Sequence, residues 1–407
     1  MRAVTVEVPP GSPLATASLV DLAGPLGTLF VRRGRGLAGL GCAARVPIDD
    51  AVATLAAIEH DDRRPSEARP GPGAGPIAVG SLGFLPDADA ELCIPAMVVT
   101  DDGDGGRRLT VVNADPEVAL RDWRPAEPAP PTASRFDVSP ALDVDHYLAA
   151  VAAARDAVRA GRLDKAVIAR PVTVSSDRPM DVHAIGRRLA TTFADTYRFS
   201  IDGFVGASPE LLVEVEGRTV RSQPLAGTTR TTGDPELDGR LAAELMASPK
   251  NQIEHRAAIE MVRDTLLPWC SWLDWSPEPS IVKVANVQHL GSLAEGVLGE
   301  PRPSVIELVR ALQPTPAVGG HPRDVALDLI ACVEGFERGR YGGAIGWVDG
   351  TGDGTWAVAL RCAEFSDDRR SARLVAGGGI VADSDPHAEL AETQAKLQAM
   401  LGAIVRP

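Results

Sequence analysis

The sequence predicts an α+β fold in which large, mainly antiparallel sheets pack against helices. Apolar runs rich in β-branched residues, such as KAVIARPVTV, LLVEVEG and RLVAGGGIV, have the length and composition of strands. Helical patterns near residues 236–266, 323–333 and 386–402 alternate with them. Some strand-like runs are separated only by turns, which favours antiparallel pairing over a strict repeat of strand and helix.

Composition divides the chain into an N-terminal third and a longer C-terminal part. Residues 63–76 and 124–143 are rich in proline and glycine, lack apolar periodicity and are predicted to be loops. The second loop follows the strand-like LTVVNAD at residues 109–115. We therefore expect an N-terminal α/β region at 1–140 that packs on a main domain at 141–407.

A helix with recognisable ends follows the second loop. In DHYLAAVAAARDAVRAG, Asp145 suits the N-cap, because its carboxylate can accept hydrogen bonds from the first free backbone amides. Gly161 suits the position just after the helix, where a left-handed backbone is common. The chain should then enter an apolar strand at Lys165.

Bulk composition limits the classes of function. The chain has 407 residues, of which 44% are hydrophobic and 24% charged, as expected for a globular protein with a large core. The net charge of −14 argues against a nucleic-acid-binding surface, which needs clustered lysine and arginine. No stretch has the length and apolar character of a signal peptide or a membrane span, so we expect a cytoplasmic protein.

The five cysteines are scattered along the chain without a CxxC pair. This pattern fits neither a disulfide framework nor a zinc site. We expect all five, Cys42, Cys93, Cys270, Cys332 and Cys362, to be reduced residues that pack in the interior.

Two ionisable residues occupy positions where burial would change their chemistry. Lys165 begins KAVIARPV and is either a solvated charge at a strand edge or a partly desolvated amine that can act as a base. Glu210 lies in SPELL, where a turn meets a strand between apolar residues. It is either a carboxylate that faces water or a buried acid with a raised pKa.

Further charged residues lie on predicted helices. Glu389, Glu392 and Lys396 are spaced three and four residues apart, so they project from one helical face. Glu254 lies in EHRAAIE on another helix. Glutamates without a histidine or cysteine cluster suit a hard cation such as Mg²⁺. The alternative is a solvated face with an ion pair between Glu392 and Lys396.

Glycine clusters and one arginine indicate contacts with a small anion. PLAGTTRTTG, AVGGHPRD, YGGAIGWVDG and AGGGIV would let backbone amides approach a carboxylate or phosphate closely. None of them follows a dinucleotide-binding or P-loop pattern. Arg361, at the end of the strand-like WAVALRCAEF, either pairs with a carboxylate of the protein or binds one of a ligand.

Taken in order, these segments resemble the chorismate-utilising enzymes, which include isochorismate, salicylate, anthranilate and aminodeoxychorismate synthases. The resemblance covers roughly residues 143–404 and rests on LDKAVIAR, GASPELL, PLAGTTR, QIEHR, VQHLGS, LQPTPAVGGHPRD, FERGRYGGAIGWVD, ALRCAEF, AGGGIVADSDP and ELAETQAKL. It implies the chorismate-utilising fold, chorismate as substrate, Mg²⁺ as cofactor and a monomeric protein.

The resemblance also implies roles in catalysis and metal binding. Lys165 would activate the water that attacks C2 of chorismate, and Glu210 would protonate the departing C4 hydroxyl on the far side of the ring. Glu254 and Glu392 look like Mg²⁺ ligands, with Glu389 close by through water.

The remaining implied roles concern the substrate. Arg361, Lys396 and the backbone of Gly377 and Gly379 would bind its carboxylates. The other residues that look like pocket lining are Gly227, Thr315 and Ala317 near the ring, and His289 near the ring carboxylate, where we do not expect it to act as a base.

Within the family, PTPAVGGHPRD, GWVDGTGDGTW, RCAEF and GIVADSDP favour an isochorismate synthase of siderophore or menaquinone synthesis. Lys165 points away from the anthranilate branch, which attacks with ammonia. VQHLGS in place of a tryptophan-containing version, and the short spacing of 45 residues between Lys165 and Glu210, favour a salicylate synthase, which also eliminates pyruvate. A catalytically silent ligand-binding homologue is the remaining alternative, and the retained lysines and glutamates argue against it.

Three residues depart from the family pattern. Pro249 and Asn251 replace acidic residues, and Gly378 replaces alanine. We expect these changes to alter local loops and not the reaction.

Overall fold

The computed structural model describes residues 1–65, 73–103, 106–126, 135–284 and 287–406. These residues form 25 strands and 11 α-helices. The strands are β1 (Arg2–Glu7), β2 (Thr28–Arg32), β3 (Arg35–Leu40), β4 (Ala44–Pro47), β5 (Glu59–Asp62), β6 (Ile77–Ser81), β7 (Glu91–Ile94), β8 (Met97–Asp101), β9 (Arg107–Val112), β10 (Phe136–Pro140), β11 (Lys165–Ser176), β12 (Tyr197–Ile201), β13 (Phe204–Ser208), β14 (Leu211–Glu216), β15 (Thr219–Gln223), β16 (Leu225–Arg230), β17 (Cys270–Trp275), β18 (Ser280–Val284), β19 (Val287–Gly291), β20 (Ala294–Leu298), β21 (Gly320–His321), β22 (Ala344–Asp349), β23 (Gly354–Val358), β24 (Cys362–Phe365) and β25 (Ser371–Ile380). The helices are α1 (Pro13–Thr16), α2 (Leu19–Ala23), α3 (Ala51–Ala56), α4 (Pro116–Asp122), α5 (Val144–Arg159), α6 (Val182–Thr192), α7 (Pro235–Ala247), α8 (Pro249–Leu266), α9 (Val305–Leu312), α10 (Arg323–Val333) and α11 (Pro386–Val405).

The strands form a large sheet, a medium sheet and a small sheet. The large sheet has 13 strands in the order β10-β11-β25-β24-β13-β12-β2-β3-β8-β9-β1-β5, with β21 paired to β11. The medium sheet has nine strands, β17-β20-β15-β14-β23-β22-β6-β7-β4, and the small sheet is β16-β19-β18. Only β1 and β5 pair in parallel among the described strands. The predicted α+β fold with large antiparallel sheets is therefore confirmed.

The large and medium sheets face each other across an apolar core. Phe199 and Phe204 of the large sheet pack there with Ile345 and Ala357 of the medium sheet, all at most 2% exposed. The other face of the large sheet packs on α6 and α11 through residues such as Ile185 and Met400. Both faces of the large sheet are therefore buried, so successive residues of its strands are apolar. This explains why the sequence lacks the alternation of polar and apolar residues that is typical of a half-exposed sheet.

Strands from before and after residue 140 share both sheets. β2 pairs with β12 in the large sheet, and β6 pairs with β22 in the medium sheet. The division into regions 1–140 and 141–407 stays a prediction. Among the described helices, none combines the length and apolar composition needed to cross a membrane.

The predicted loops and the helix before Lys165 need correction in detail. The loop at 124–143 contains β10, which pairs with β11, and its residues 127–134 lie outside the described part, as do residues 66–72 of the loop at 63–76. The N-cap of α5 is Asp143 and not Asp145, because Asp143 accepts the hydrogen bond from the Asp145 amide. Gly161 has φ +68°, as predicted for the residue after the helix.

The five cysteines are free thiols, but they do not all pack in the interior. Cys93 and Cys362 are buried and Cys270 is half-buried, whereas Cys42 and Cys332 are exposed. The prediction that all five are packing residues is therefore wrong for the two exposed ones.

A buried ion pair ties β11 to the loop between α9 and β21. Arg338 Nε donates to Glu334 Oε2 at 2.8 Å, and the two side chains are at most 2% exposed. Arg338 also donates to the carbonyls of Val318 and Val167 at 2.7 and 2.6 Å. Glu334 Oε1 accepts from the Ala169 amide at 2.7 Å. The pair therefore satisfies backbone groups of both segments, next to the hydrogen bond of 2.8 Å that the Val167 amide donates to the Gly319 carbonyl.

Replacing Arg338 by Met should strongly destabilise the fold. The substitution leaves the Glu334 carboxylate buried beside an apolar group, which costs about 3–5 kcal/mol. Urea denaturation followed by tryptophan fluorescence measures the loss. Arg33→Met is the matched control, because Arg33 pairs with Asp195 where both side chains are about two-thirds exposed, and should cost less than about 1 kcal/mol. Equal effects of the two changes would contradict the structural importance of the buried pair.

Candidate active site

Lys165 is the first residue of β11 and is only 8% exposed. Its Nζ lies 3.8 Å from Oε2 of Glu254 on α8. On the neighbouring strand, a Cβ at Gly379 would lie 2.6 Å from Lys165 Cε. Gly379 therefore leaves the space through which the Lys165 side chain runs. Because Lys165 is buried, the alternative of a solvated charge at a strand edge is wrong.

Glu210 lies where the chain passes from β13 in the large sheet to β14 in the medium sheet. It is 2% exposed, so the alternative of a carboxylate that faces water is wrong. Burial raises the pKa of Glu210 to about 8, although a hydrogen bond from the Leu225 amide and the charge of Lys165 oppose the shift. Its Oε1 has no hydrogen-bond partner among the described residues. Glu210 is therefore a buried acid that keeps its proton at neutral pH.

Arg361 lies where the chain returns from β23 of the medium sheet to β24 of the large sheet. The run WAVALRCAEF is thus two strands, and the prediction of one strand ending at Arg361 is wrong. Arg361 itself has φ +50°, a left-handed conformation that breaks the strand and turns the chain. Burial lowers its pKa, and the charge of Glu392, which lines the same cavity, opposes the shift. The planar guanidinium at the cavity wall suits the carboxylate of a ligand.

Lys396 and Glu392 reach the same region from α11. Lys396 Nζ lies 2.6 Å from Glu392 Oε1 and donates to the Gly377 carbonyl at 2.8 Å. The carbonyl is accessible because β24 pairs with β25 only between Ala363–Phe365 and 372–374, beyond which the two strands separate. The predicted ion pair between Glu392 and Lys396 is present, and it lies at the opening between these strands.

One cavity of about 270 Å³ joins these groups. Eleven of the 13 predicted site residues line it: Lys165, Glu210, Gly227, Glu254, His289, Ala317, Arg361, Gly377, Gly379, Glu392 and Lys396. Thr315 does not line it; its carbonyl accepts hydrogen bonds from Val318 and Gly319 and so shapes the turn that presents Ala317. Glu389 does not line it either.

The Glu389 carboxylate lies behind β25. Its Oε1 accepts a hydrogen bond from Ser384 at 2.8 Å. A Cβ at Gly378 would lie 2.6 Å from its Oε2 and 3.8 Å from the hydroxyl of Tyr147. The glycine that departs from the family pattern therefore provides the space that this carboxylate occupies. The role of Glu389 near a metal stays a prediction.

Sequence reasoning missed eight residues that line the cavity, of which Thr228, Asn251 and Tyr341 have polar side chains. Asn251 is one helical turn before Glu254, a spacing that could have indicated it. Asn251 and Pro249 lie in α8, and Gly378 lies in β25. The expectation that these three departures from the family pattern alter local loops is therefore wrong. Tyr341 accepts a hydrogen bond from the Gly377 amide, a contact that nothing in the sequence indicates, and burial raises its pKa to about 12.

The residues present fit a hydrated Mg²⁺ ion. Glu254 and Glu392 both line the cavity, and Mg²⁺ is commonly held by one or two carboxylates together with water and substrate oxygens. Within the described ranges, no three His, Cys, Asp or Glu side chains converge to form a complete site. The donor set thus suits a metal that shares its coordination with a substrate and does not suit a closed structural site.

The cavity is suited to acid–base chemistry on a small anion. It combines a buried carboxylic acid with two lysines and an arginine. Such groups define an enzyme that binds carboxylates and moves protons near them.

The chain belongs to the chorismate-binding enzyme family, whose model matches residues 79–405. It is 39% identical to isochorismate synthase DhbC of Bacillus subtilis over 280 residues, covering 66% of this chain and 70% of that protein. It is 32% identical to isochorismate synthase MenF of the same organism over 355 residues, covering 81% and 75%. The structure of MenF, the menaquinone-specific isochorismate synthase of Escherichia coli, superposes with a TM-score of 0.82 at 26% identity, covering 98% of this chain and 94% of that one.

Gly378→Ala should destabilise the protein by about 1–3 kcal/mol, because the new methyl group overlaps the Glu389 carboxylate. Shortening the acid in Gly378→Ala/Glu389→Asp should recover part of this loss, since residues in contact are not additive. Thermal denaturation measures both variants. Gly239→Ala is the control, because it lies in α7 with open space around its Cβ and should stabilise slightly. A Gly378→Ala protein as stable as the parent would contradict the contact.

Proposed function

We propose that this protein is an isochorismate synthase, which isomerises chorismate to isochorismate. The observation that carries the proposal is that Lys165 and a protonated Glu210 line one cavity. An exchange of hydroxyl position on a ring needs a base for the entering water and an acid for the leaving hydroxyl. The names of the relatives support the same reaction.

The residues divide the reaction between them. Lys165 takes a proton from water while the water oxygen bonds to C2 of chorismate. The two ring double bonds shift from C1=C2 and C5=C6 to C1=C6 and C4=C5, the C4–O bond breaks, and Glu210 gives its proton to the departing hydroxyl, which leaves as water. One water enters and one leaves, so substrate and product have the same composition. The chain then needs only to return a proton from Lys165 to Glu210 through solvent.

Cationic and backbone groups would hold the substrate's carboxylates. Arg361 lines the cavity, and Lys396 reaches the edge of β25 beside Gly377. Fixing both carboxylates would place C2 and C4 of the ring without further movement of the protein. Positioning of this kind supplies much of the rate enhancement when the reaction itself is nearly balanced in energy.

Glu254 and Glu392 would hold a Mg²⁺ ion, which when bound would neutralise and orient a substrate carboxylate. In the described structure each carboxylate has a lysine beside it, Lys165 at 3.8 Å and Lys396 at 2.6 Å. Glu389, held behind β25, would act on the metal only through water.

Isochorismate would feed siderophore or menaquinone synthesis. An assay of the reaction products decides between an isochorismate synthase and the alternatives. Pure protein incubated with chorismate and Mg²⁺ should yield isochorismate without salicylate or pyruvate, as separated by chromatography. Lys165→Ala and Glu210→Gln should each reduce kcat by about 10²- to 10⁴-fold. Chelation with EDTA should abolish turnover, and added Mg²⁺ should restore it.

Two exposed residues serve as controls. Lys283→Ala removes an exposed lysine of β18, and Glu216→Gln changes an exposed acid at the end of β14; both should leave kcat unchanged. Stoichiometric salicylate and pyruvate would show a salicylate synthase instead. Unchanged chorismate, with tight binding that Lys165→Ala does not affect, would show a silent ligand-binding homologue.

A further inference from the structure

Two of the five free thiols lie side by side, although they are far apart in the sequence. Cys42 lies between β3 and β4, and Cys93 lies in β7. The Cys93 thiol shares a hydrogen bond with the Cys42 thiol. Neither residue is among those that line the cavity with Lys165 and Glu210. The pair is therefore a cluster of nucleophilic groups that the proposed reaction does not use.

Backbone carbonyls of one short segment bind both thiols. The Cys42 Sγ donates a hydrogen bond to the Ala44 carbonyl at 3.2 Å. The Cys93 Sγ lies 3.9 Å from the Gly41 carbonyl oxygen, within reach of the weak hydrogen bond that a thiol donates. The two sulfur atoms are thus both held at residues 41–44, which agrees with their hydrogen bond to each other.

The sheets fix this arrangement. Residues 41–43 form the crossing segment, where the chain leaves β3 of the large sheet and enters β4 of the medium sheet. At one end, Gly41 has φ +63° and its carbonyl accepts a hydrogen bond from the Ala96 amide at 3.4 Å. At the other end, the Ala43 amide donates to the Ile94 carbonyl at 2.8 Å, after which β4 pairs with β7. The crossing segment is therefore bonded to the chain beside Cys93 on both sides of Cys42.

The two cysteines differ in their access to solvent. Cys42 is exposed, whereas Cys93 is buried, with 6% of its surface accessible. Burial raises the pKa of the Cys93 thiol, the hydrogen bond and charge of Cys42 raise it further, and the positive charge of Arg45 acts in the opposite direction. A dissolved oxidant can therefore reach Cys42, and Cys93 can react only through Cys42.

We propose that Cys42 and Cys93 form a reversible oxidation site, which a low-molecular-weight disulfide converts to an intramolecular disulfide. The Cys42 thiolate attacks one sulfur atom of the oxidant, whose S–S bond breaks and releases one thiolate, so that a mixed disulfide remains on Cys42. Cys93 then loses its proton and attacks the Cys42 Sγ, and the second half of the oxidant leaves as a thiolate. The two released thiolates take up the two protons that the cysteines lose. The protein is oxidised by two electrons, and the oxidant is reduced to two thiols.

The first step favours the second. In the mixed disulfide, Cys42 no longer has a thiol that shares a hydrogen bond with Cys93, so this contribution to the raised pKa of Cys93 is lost. Burial still raises that pKa, but Arg45, which lies opposite Cys93 in the pairing of β4 with β7, favours the thiolate. Arg45 is held there by two hydrogen bonds of 3.1 Å to Asp202. The attacking sulfur thus lies beside its target and beside a fixed positive charge.

The disulfide would join the crossing segment to β7 and stabilise the fold. The loop that it closes contains β4, α3, β5 and β6, and closing a long loop removes conformational freedom from the unfolded chain. The midpoint of thermal unfolding should therefore rise by several degrees after oxidation, and dithiothreitol should reverse the rise. Cys332→Ser should show the same rise. A rise that persists in Cys42→Ser would overturn the proposal.

Peptide mass spectrometry identifies the bond itself. The folded protein is incubated with oxidised glutathione, quenched with acid, alkylated in denaturant and digested without a reductant. The parent protein should yield a linked pair of peptides that contain Cys42 and Cys93, and dithiothreitol should remove the link. Cys332, the other exposed cysteine, is the matched control. It should stop after the first step and carry glutathione as a mixed disulfide.

Two variants separate the steps. Cys93→Ser should leave Cys42 as a stable mixed disulfide with glutathione, and Cys42→Ser should leave Cys93 unmodified, because Cys93 is buried. Parent protein in which Cys42 carries glutathione while Cys93 is alkylated would overturn the proposal, and so would glutathione on Cys93 in Cys42→Ser. The peptide measurement on the parent decides the proposal even if a variant does not fold, and it does not require turnover of chorismate.

Discussion

The buried pair of Glu334 and Arg338 fixes the frame on which the cavity depends. Its hydrogen bonds reach Val167 and Ala169 on β11 and Val318 in the loop after α9. These groups neighbour Lys165 and Ala317, which line the cavity, so the pair fixes the spacing between two of its walls. Phe84 covers the guanidinium at 4.1 Å and excludes water from it. Separating the segments that such a pair joins would leave a buried charge without a partner, which is strongly unfavourable.

The facing sheets place the reactive groups by making the chain cross between them. Glu210 and Arg361 both lie at crossings, where strand pairing ends and a side chain can point into the space between the sheets. Burial at these crossings raises the pKa of the acid and lowers that of the arginine. The Glu210 and Arg361 side chains are held in place by the two sheets before a substrate binds, so little reorganisation is needed during the reaction.

The sequence predicted the features that depend on local pattern. Lys165 begins a strand, Glu210 lies at a turn, and Glu392 and Lys396 share a helical face, because each follows from residues close in the chain. Features set by tertiary contact were missed or misplaced. The break at Arg361 depends on a change of sheet, and the position of Glu389 depends on the empty space at Gly378. Most of the site residues were identified by family resemblance, which contains tertiary information that periodicity lacks.

Two further errors have simple physical causes. Asp143 and Asp145 are both good N-cap residues, and the choice between them depends on where the preceding chain leaves β10. β10 itself was hidden in a proline-rich segment because it is an edge strand, where proline is tolerated and exposed side chains give no apolar pattern. In both cases the local sequence is compatible with more than one structure, and the pairing of β10 with β11 decides which one forms.

The central claim is that Glu210 is a buried acid that acts in its protonated form. The most direct test is the pH dependence of kcat/KM for chorismate at saturating Mg²⁺. Lys165 titrates in both proteins, so the ratio of kcat/KM of the parent to that of Glu210→Gln reports the acid alone. Because the acid is active only while protonated, this ratio should fall about tenfold per pH unit above roughly pH 8. A ratio that stays constant through pH 10 would contradict the claim.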